Sequence, residues 1–497
     1  MKPVRGLSVL TKVHAEPEQE HVEMIKRGLP QPAKKKRIIV LGAGMAGLVS
    51  ASLLKEAGHS VILLEGNSRV GGRVHTLRKP FRNGDHFEGG AMRIPSHHQL
   101  TMTYVQKFHL PVIPFVNATD NDLIYMNGKL VRRFMYEDNP DLLAFPVDEK
   151  ERGLTAVNLL RQAVAEFAEQ YVAGTKNERG RLLARFARFT KDGFLRENPL
   201  GESLSDIATY KINTMLGIGG FHHLSFTDIL LNITSTIFGD NVDFFQIKGG
   251  NDQLPKAFLP YINDHLHVNR TVMRIVQDNT GVQVTAEDER KEQHVYFGDV
   301  VVCTLPFSVL RLVDIWPHDS LSFAKQRAIR ELVYVQATKV GIEFKRKFWE
   351  DDALYGGSLI TDLPLQFMYY PSHNINVPGP GILKACYAWG ENANLWDAME
   401  EEERVDRALS YVAHIHGEKV KKLATGGVSV SWGSNPFSAG CFSMFKPYQH
   451  GELPSVIRQP EGRIHFAGEH TSRLHAWIEG AIESGVRVAE EVNKRII

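Results

Sequence analysis

The chain has 497 residues, carries 58 Lys plus Arg against 57 Asp plus Glu for a formal net charge of +1, and is 43% hydrophobic. Area scaling buries roughly three quarters of the surface of such a chain, enough for two or three cores, so a single small domain is excluded. The balanced charge offers no basic excess to nucleic acid or an anionic membrane, and the longest uncharged run, residues 38–54, is too short and too interrupted by glycine to span a bilayer.

The N-terminal stretch MKPVRGLSVLTKVHAEPEQE lacks an apolar signal region, and the three cysteines, Cys303, Cys386 and Cys441, are odd in number and far apart. Both features point to a reducing compartment, with the cytoplasm as the expected location. The sequons at Asn117, Asn232 and Asn269 would matter only on a secreted chain and read as chance. Lys34-Lys35-Lys36-Arg37 reads as a solvated lead-in to the first strand.

Ile38 to Leu41 form a continuous apolar run, the pattern of a strand buried on both faces. Gly42-Ala43-Gly44-Met45-Ala46-Gly47 follows, then a helical stretch to Gly58, then the strand Val61 to Leu64 closed by Glu65. Alone, the glycine hexamer is compatible with a surface turn. In this strand–turn–helix–strand setting it reads as a dinucleotide site. Gly42 permits the tight turn, Gly44 lets backbone approach a pyrophosphate, and Gly47 lets helix pack on strand. The helix N-terminus at Met45 and Ala46 supplies free N–H groups, and Glu65 can accept from a ribose diol, favouring FAD or NAD over NADP.

Arg69-Val70-Gly71-Gly72-Arg73 comes next, and a glycine pair before an arginine offers amides and a guanidinium to the same pyrophosphate. This run resembles the second phosphate-binding element of the FAD-dependent amine oxidase superfamily. The following string, Gly89-Gly90-Ala91-Met92-Arg93-Ile94-Pro95, sets Arg93 between apolar neighbours. From the residues alone that guanidinium belongs either to a structural salt bridge or to a ligand's carboxylate. The string resembles the G-x-M-R-x-P element of L-amino acid oxidases, whose arginine forks the substrate carboxylate. The resemblance also sets Ala91, Met92 and Arg93 against the flavin.

Further strings extend the resemblance over nearly the whole chain. Gly249 to Pro255 looks like the superfamily's glycine-pair turn, and residues 268–276 with Val300 to Pro306 look like the return over the adenosine, with Val272 a contact. Lys339 is a lone cation in a β-branched pattern. By pattern it reads as an edge-strand lysine snorkelling to solvent, and by resemblance as the lysine that holds a water beside flavin N5. Tyr369 lies in a segment similar to L-amino acid oxidases, as do Phe348-Trp349-Glu350 and a short amphipathic helix at residues 18–29. Tyr387 corresponds to the tyrosine that hydrogen-bonds the substrate carboxylate, and Trp389 and Phe442 suggest a pocket for apolar or aromatic side chains. Trp432, Gly468, Glu469, Trp477 and Ile478 complete the implied flavin contacts, and Phe442 and Trp477 become aromatic walls.

Two positions depart from the pattern. Ala476 stands where many members have glycine, which is tolerated if only the backbone carbonyl there receives the substrate amino group. Cys441 lies where monoamine oxidases carry a flavin-tethering cysteine. A free buried thiol with non-covalent FAD is expected, with a thioether as the alternative.

The implied fold is α/β with α+β. A Rossmann-like FAD domain of the GR2 type with a parallel sheet (34–84, 246–315, 430–497) is interleaved with a mixed-sheet substrate domain (1–33, 85–145, 316–429) and a helical insert (146–245). The implied reaction converts an L-α-amino acid, O₂ and water into a 2-oxo acid, ammonia and hydrogen peroxide by hydride transfer to flavin N5. The chain is expected to act as a homodimer or larger homo-oligomer. The alternatives are a monoamine or polyamine oxidase, a decarboxylating amino acid monooxygenase, and a non-catalytic flavin-binding scaffold. No metal site is expected, because the His-Leu-His and His-Ile-His triplets and the pairs His97-His98 and His222-His223 lack ligand spacing.

Overall fold

The computed structural model describes residues 7–82, 84–239 and 242–495. A five-stranded parallel sheet runs in the order Leu266–His267, Ser60–Leu64, Arg37–Leu41, Val300–Cys303, Ile464–Phe466. Its central strands lack polar alternation because both faces are covered. Ile38 and Val40 join a core with the helices Met45–Glu56 and Ile478–Lys494, while Ile39 and Leu41 join one with a second sheet. That sheet has four strands in the order Gln293–Gly298, Val282–Glu287, Thr271–Gln277, Asp314–Trp316. The two helices touch closely at Gly485, where a Cβ would stand 2.7 Å from the Ala46 carbonyl oxygen.

A seven-stranded sheet forms the second layer, ordered Ala424–Ser431, Ala337–Phe344, Gly381–Trp389, Phe367–Tyr369, Ser358–Thr361, Leu123–Met126, Lys129–Arg132. Period-two alternation sorts the faces of Ala337–Phe344. Val340, Ile342 and Phe344 enter a core with the helix Glu401–His416, and Lys339 and Gly341 face the other way, toward Gly90 and Phe87. The strand carrying Lys339 is paired on both sides, so Lys339 is not an edge-strand lysine; it is buried and cannot snorkel.

The helical layer comprises Ala156–Ala173, Lys176–Phe186, Lys191–Glu197 and Asp206–Met215, each started by an N-cap hydroxyl from Thr155, Thr175, Thr190 or Ser205. A last helical run, Phe226 to Ile237, contains a π turn at Leu230–Thr234. These helices are confined to residues 156–237. Phe244–Ile247, which straddles the expected boundary between insert and FAD domain at 245/246, is the middle strand of a small sheet between Ile94–Pro95 and Val112–Pro114. The N-terminal arm is also divided. Leu7 and Leu10 of the helix Leu7–Ala15 pack into the helical layer, whereas Val22 and Ile25 of Gln19–Arg27 pack beneath the parallel sheet's helices. Apolar partners, rather than position in the chain, decide where each piece docks. Among the described residues no helix is long and apolar enough to cross a membrane.

Candidate active site

A cavity of about 770 Å³ lies where these layers meet. One end is built by the turn after the first strand. Gly42 has φ +96°, and its N–H donates to the Leu64 carbonyl at 2.7 Å. A Cβ on Gly44 would meet nothing within 4 Å, so this residue leaves room for a ligand, whereas one on Gly47 would sit 1.8 Å from the Gly42 carbonyl oxygen. Gly47 therefore packs behind the turn, and Gly42, Gly44, Met45 and Ala46 line the cavity. The first-turn amides of Ala46 and Gly47 donate to nothing among the described residues, which leaves a helix N-terminus ready for an anion. The glycine pair closes on this turn, with the Gly71 N–H donating to the Ala43 carbonyl at 2.8 Å.

Glu65 is buried, and its carboxylate accepts from the Ala43 N–H at 2.6 Å and the Asn67 N–H at 2.8 Å. Burial raises its pKa and these two amides oppose the rise. A carboxylate accepts about four hydrogen bonds, so capacity remains for a diol. Val272, from the four-stranded sheet, lines the same end.

Midway along the cavity, Arg73 pairs with Glu469 at 2.7 Å and donates to the Cys441 carbonyl at 3.0 Å. Burial disfavours the Arg73 charge, yet the Glu469 carboxylate outweighs it and raises the guanidinium pKa. Glu469 also accepts from Ser443 N–H and Oγ and from the Ala476 N–H, so it ties three segments together. Gly72, Gly468, Trp432 and Ile478 line this stretch, and the Trp432 indole donates to the Gly89 carbonyl at 2.9 Å.

At the far end, Ala91, Met92, Arg93, Tyr387, Trp389, Phe442, Ala476 and Trp477 come together. Arg93 is 5% exposed, and among the described residues no carboxylate lies within 4.0 Å of it. Its Nη1 donates to Asn117 Oδ1 and, at 3.2 Å, to the Tyr369 hydroxyl, and the rings of Phe244 and Tyr369 lie 5.4 and 5.6 Å from its guanidinium carbon. Nη2 and Nε have no partner among the described residues. Burial pushes the Tyr387 phenol's pKa up, so it remains an O–H donor. Ile233 and Ile237 of the π-containing run complete an apolar wall.

Tyr369 and Lys339 do not line the cavity. Tyr369 sits behind Arg93. Lys339 Nζ donates to the Gly90 carbonyl and lies 4.3 Å from the centre of the Tyr387 ring, one layer back. Burial lowers its pKa to about 8, against the pull of Cys441 and Glu88. Cys441 does line the cavity, and burial pushes its thiol to about 11, opposed by Lys339 and Arg73. Asn117, which read as a chance sequon, holds Arg93 and donates to the Ile237 carbonyl at 3.2 Å. Asn232, another, offers its carbonyl to the Trp477 indole at 2.6 Å. Nothing local marks either role. His222 and His223, whose spacing is not that of metal ligands, meet Glu391 at the surface.

The sequence model of the family described as flavin containing amine oxidoreductase matches residues 45–493. A putative L-amino-acid oxidase, YobN of Bacillus subtilis (strain 168), is 41% identical over 481 residues, covering 95% of this chain and 98% of that protein. The L-amino-acid oxidase of Siganus canaliculatus is 34% identical over 479 residues, covering 96% and 89%. Among solved structures, the cyclohexylamine oxidase from Brevibacterium oxydans IH-35A superposes with a TM-score of 0.73 at 19% identity over 93% of this chain and 99% of that one. A putrescine oxidase variant redesigned in its cofactor binding does so with a TM-score of 0.73 at 19% identity over 92% and 98%. With fold, motif positions and relatives in agreement over almost its whole length, the chain belongs to the flavin containing amine oxidoreductases and is an oxidoreductase of that kind.

Proposed function

We propose that the protein is an FAD-dependent oxidase of L-α-amino acids with apolar or aromatic side chains, forming 2-oxo acids, ammonia and hydrogen peroxide. The observation that carries this reading is Arg93, a buried guanidinium facing the cavity with no carboxylate of its own among the described residues. Such a charge is costly unless an anion reaches it, and an amino acid differs from a simple amine by supplying one. The names of the relatives from Bacillus subtilis and Siganus canaliculatus support the same reading.

The cavity fits FAD at each part of that molecule. The Gly44 cradle and the free amides of the first helical turn suit the pyrophosphate, Glu65 and Val272 the adenosine, and Trp432, Gly468 and Ile478 the ring system. Bound FAD would supply the hydride acceptor and, with O₂, its own reoxidation. The chain's residues would do the rest. Arg93 and Tyr387 would fix the carboxylate, the Ala476 carbonyl would receive the amino group, and Ile233, Ile237, Trp389 and Phe442 would exclude water around the side chain. Cys441 stays a thiol at neutral pH, which favours non-covalent FAD; yellow colour left in the supernatant after acid precipitation is the expected result.

Anaerobic mixing with a panel of L-amino acids and simple amines tests the reading. Apolar L-amino acids should bleach the flavin and, after air is admitted, yield 2-oxo acid and hydrogen peroxide. Bleaching by amines alone would overturn the assignment, and an amide product would replace it with a monooxygenase.

A further inference from the structure

The segment His475-Ala476-Trp477 enters the cavity wall under unusual constraint. Ala476 has φ +72°, the left-handed region where a Cβ is disfavoured. Three bonds to three different groups hold the segment. His475 Nδ1 meets Asp228 Oδ2 at 3.1 Å, the Ala476 N–H donates to Glu469 Oε2 at 3.1 Å, and the Trp477 indole donates to the Asn232 carbonyl at 2.6 Å. Two of these anchors come from one place: Asp228 and Asn232 both lie on the run Phe226 to Ile237, and Asn232 Nδ2 donates to Asp228 Oδ1 at 2.8 Å. Asn232 sits inside the π turn, where the regular helical ladder is broken.

The Asp228–His475 pair is deeply buried, each residue 1% exposed. Asp228 also accepts from the Phe445 N–H at 2.6 Å, and the His475 ring stands edge-on to Phe445 at 4.6 Å. The charged or titratable groups facing His475 are Asp228, Glu469, Arg458, His450 and His470. Burial works against protonation of His475, but the Asp228 carboxylate raises its pKa above the ordinary imidazole value.

These bonds leave His475 Nε2 without a partner among the described residues, and they also leave a backbone group of the segment free. Ala476 lines the cavity, and its carbonyl accepts no hydrogen bond among the described residues. We propose that Asp228, acting through His475, is the positioning residue that holds Ala476 in its left-handed conformation and thereby aims the Ala476 carbonyl at the amino group of the substrate. This rests on the reading of the site as an amino acid oxidase. It means that the helical layer, which contributes Ile233 and Ile237 to the apolar wall, also sets the geometry of the amine-binding carbonyl.

The test compares two ligands on the holoenzyme. One is an apolar L-amino acid, with half-saturation read from anaerobic flavin bleaching. The other is benzoate, a carboxylate without an amino group, read by its perturbation of the flavin spectrum. Asp228→Asn should weaken the amino acid about tenfold, the scale of one misaligned hydrogen bond to a charged group, and leave benzoate within about twofold. Glycine adopts positive φ freely, so adding Ala476→Gly to Asp228→Asn should restore most of the lost affinity. A merely structural role predicts neither the split nor the rescue. Equal weakening of both ligands, unchanged amino acid affinity, or a double variant as weak as the single one would overturn the assignment. His475→Gln should show the same pattern and serves if Asp228→Asn fails to fold. Failure of the wild-type enzyme to bleach with any L-amino acid would instead sink the functional reading, and this assignment with it.

Discussion

The two ends of the cavity are made in different ways. The pyrophosphate end comes from one local unit, strand, glycine turn, helix and strand, closed by Glu65 and the Gly71-Gly72-Arg73 run. The proposed amino acid end is assembled from Arg93, Asn117, Ile237, Tyr369, Tyr387 and Ala476, which lie on separate segments of three layers. On the proposed reading, pyrophosphate binding is thus a property of a short stretch of backbone, whereas substrate selection is a property of how the layers meet.

If that division holds, substitutions at the two ends should fail in different ways. The largest effect is expected from Gly47→Ala, because the new methyl would overlap the Gly42 carbonyl oxygen at 1.8 Å and the turn would have to open. The purified protein should be nearly colourless, as read from the ratio of flavin to protein absorbance. Arg93→Ala should keep its yellow colour but raise KM for L-amino acids by about 100-fold or more, the scale of losing a buried charge partner; steady-state kinetics checks both. A colourless Arg93→Ala protein would break the comparison.

Lys339 lies one layer behind Tyr387 and Gly90 and should sharpen it. The ammonium is present below pH about 8 and lost above it. If its charge aids reoxidation by O₂, that half-reaction should slow as pH rises through about 8, and Lys339→Met should slow it at neutral pH and remove the inflection. Stopped-flow measurement of the reductive half-reaction should show little change. The smallest effect is expected for Ala476→Gly. Release of left-handed strain, about 1–2 kcal/mol, is partly offset by the greater entropy of unfolded glycine, so stability should rise by about 1 kcal/mol or less, visible as a small increase in Tm.

The same division governs how much could be read from sequence. The glycine turn, Glu65 and Arg73 were legible because their chemistry needs neighbours in the chain, and Arg93 because an arginine between apolar residues is itself a local oddity. Pattern misleads at Lys339 because alternation shows which face a residue takes, not whether its strand lies at an edge. The strand Phe244–Ile247 is cut by the expected boundary at 245/246 because its pairing partners, Ile94–Pro95 and Val112–Pro114, lie more than a hundred residues away. Asn117 and Asn232 carry no signal because one acts through a side chain that meets Arg93 only after folding and the other through its main-chain carbonyl.

The order of the parallel sheet has a consequence for synthesis. Its strand Ile464–Phe466 pairs with Val300–Cys303, and the helix Ile478–Lys494 packs on Met45–Glu56 beside the first glycine turn, so each meets a partner made long before it. A nascent chain therefore exposes the apolar flank of Val300–Cys303 until Ile464–Phe466 has left the ribosome. Cofactor capture waits for that strand and helix, and loss of the segment that carries them would remove a wall of the flavin site while sparing the entire glycine motif.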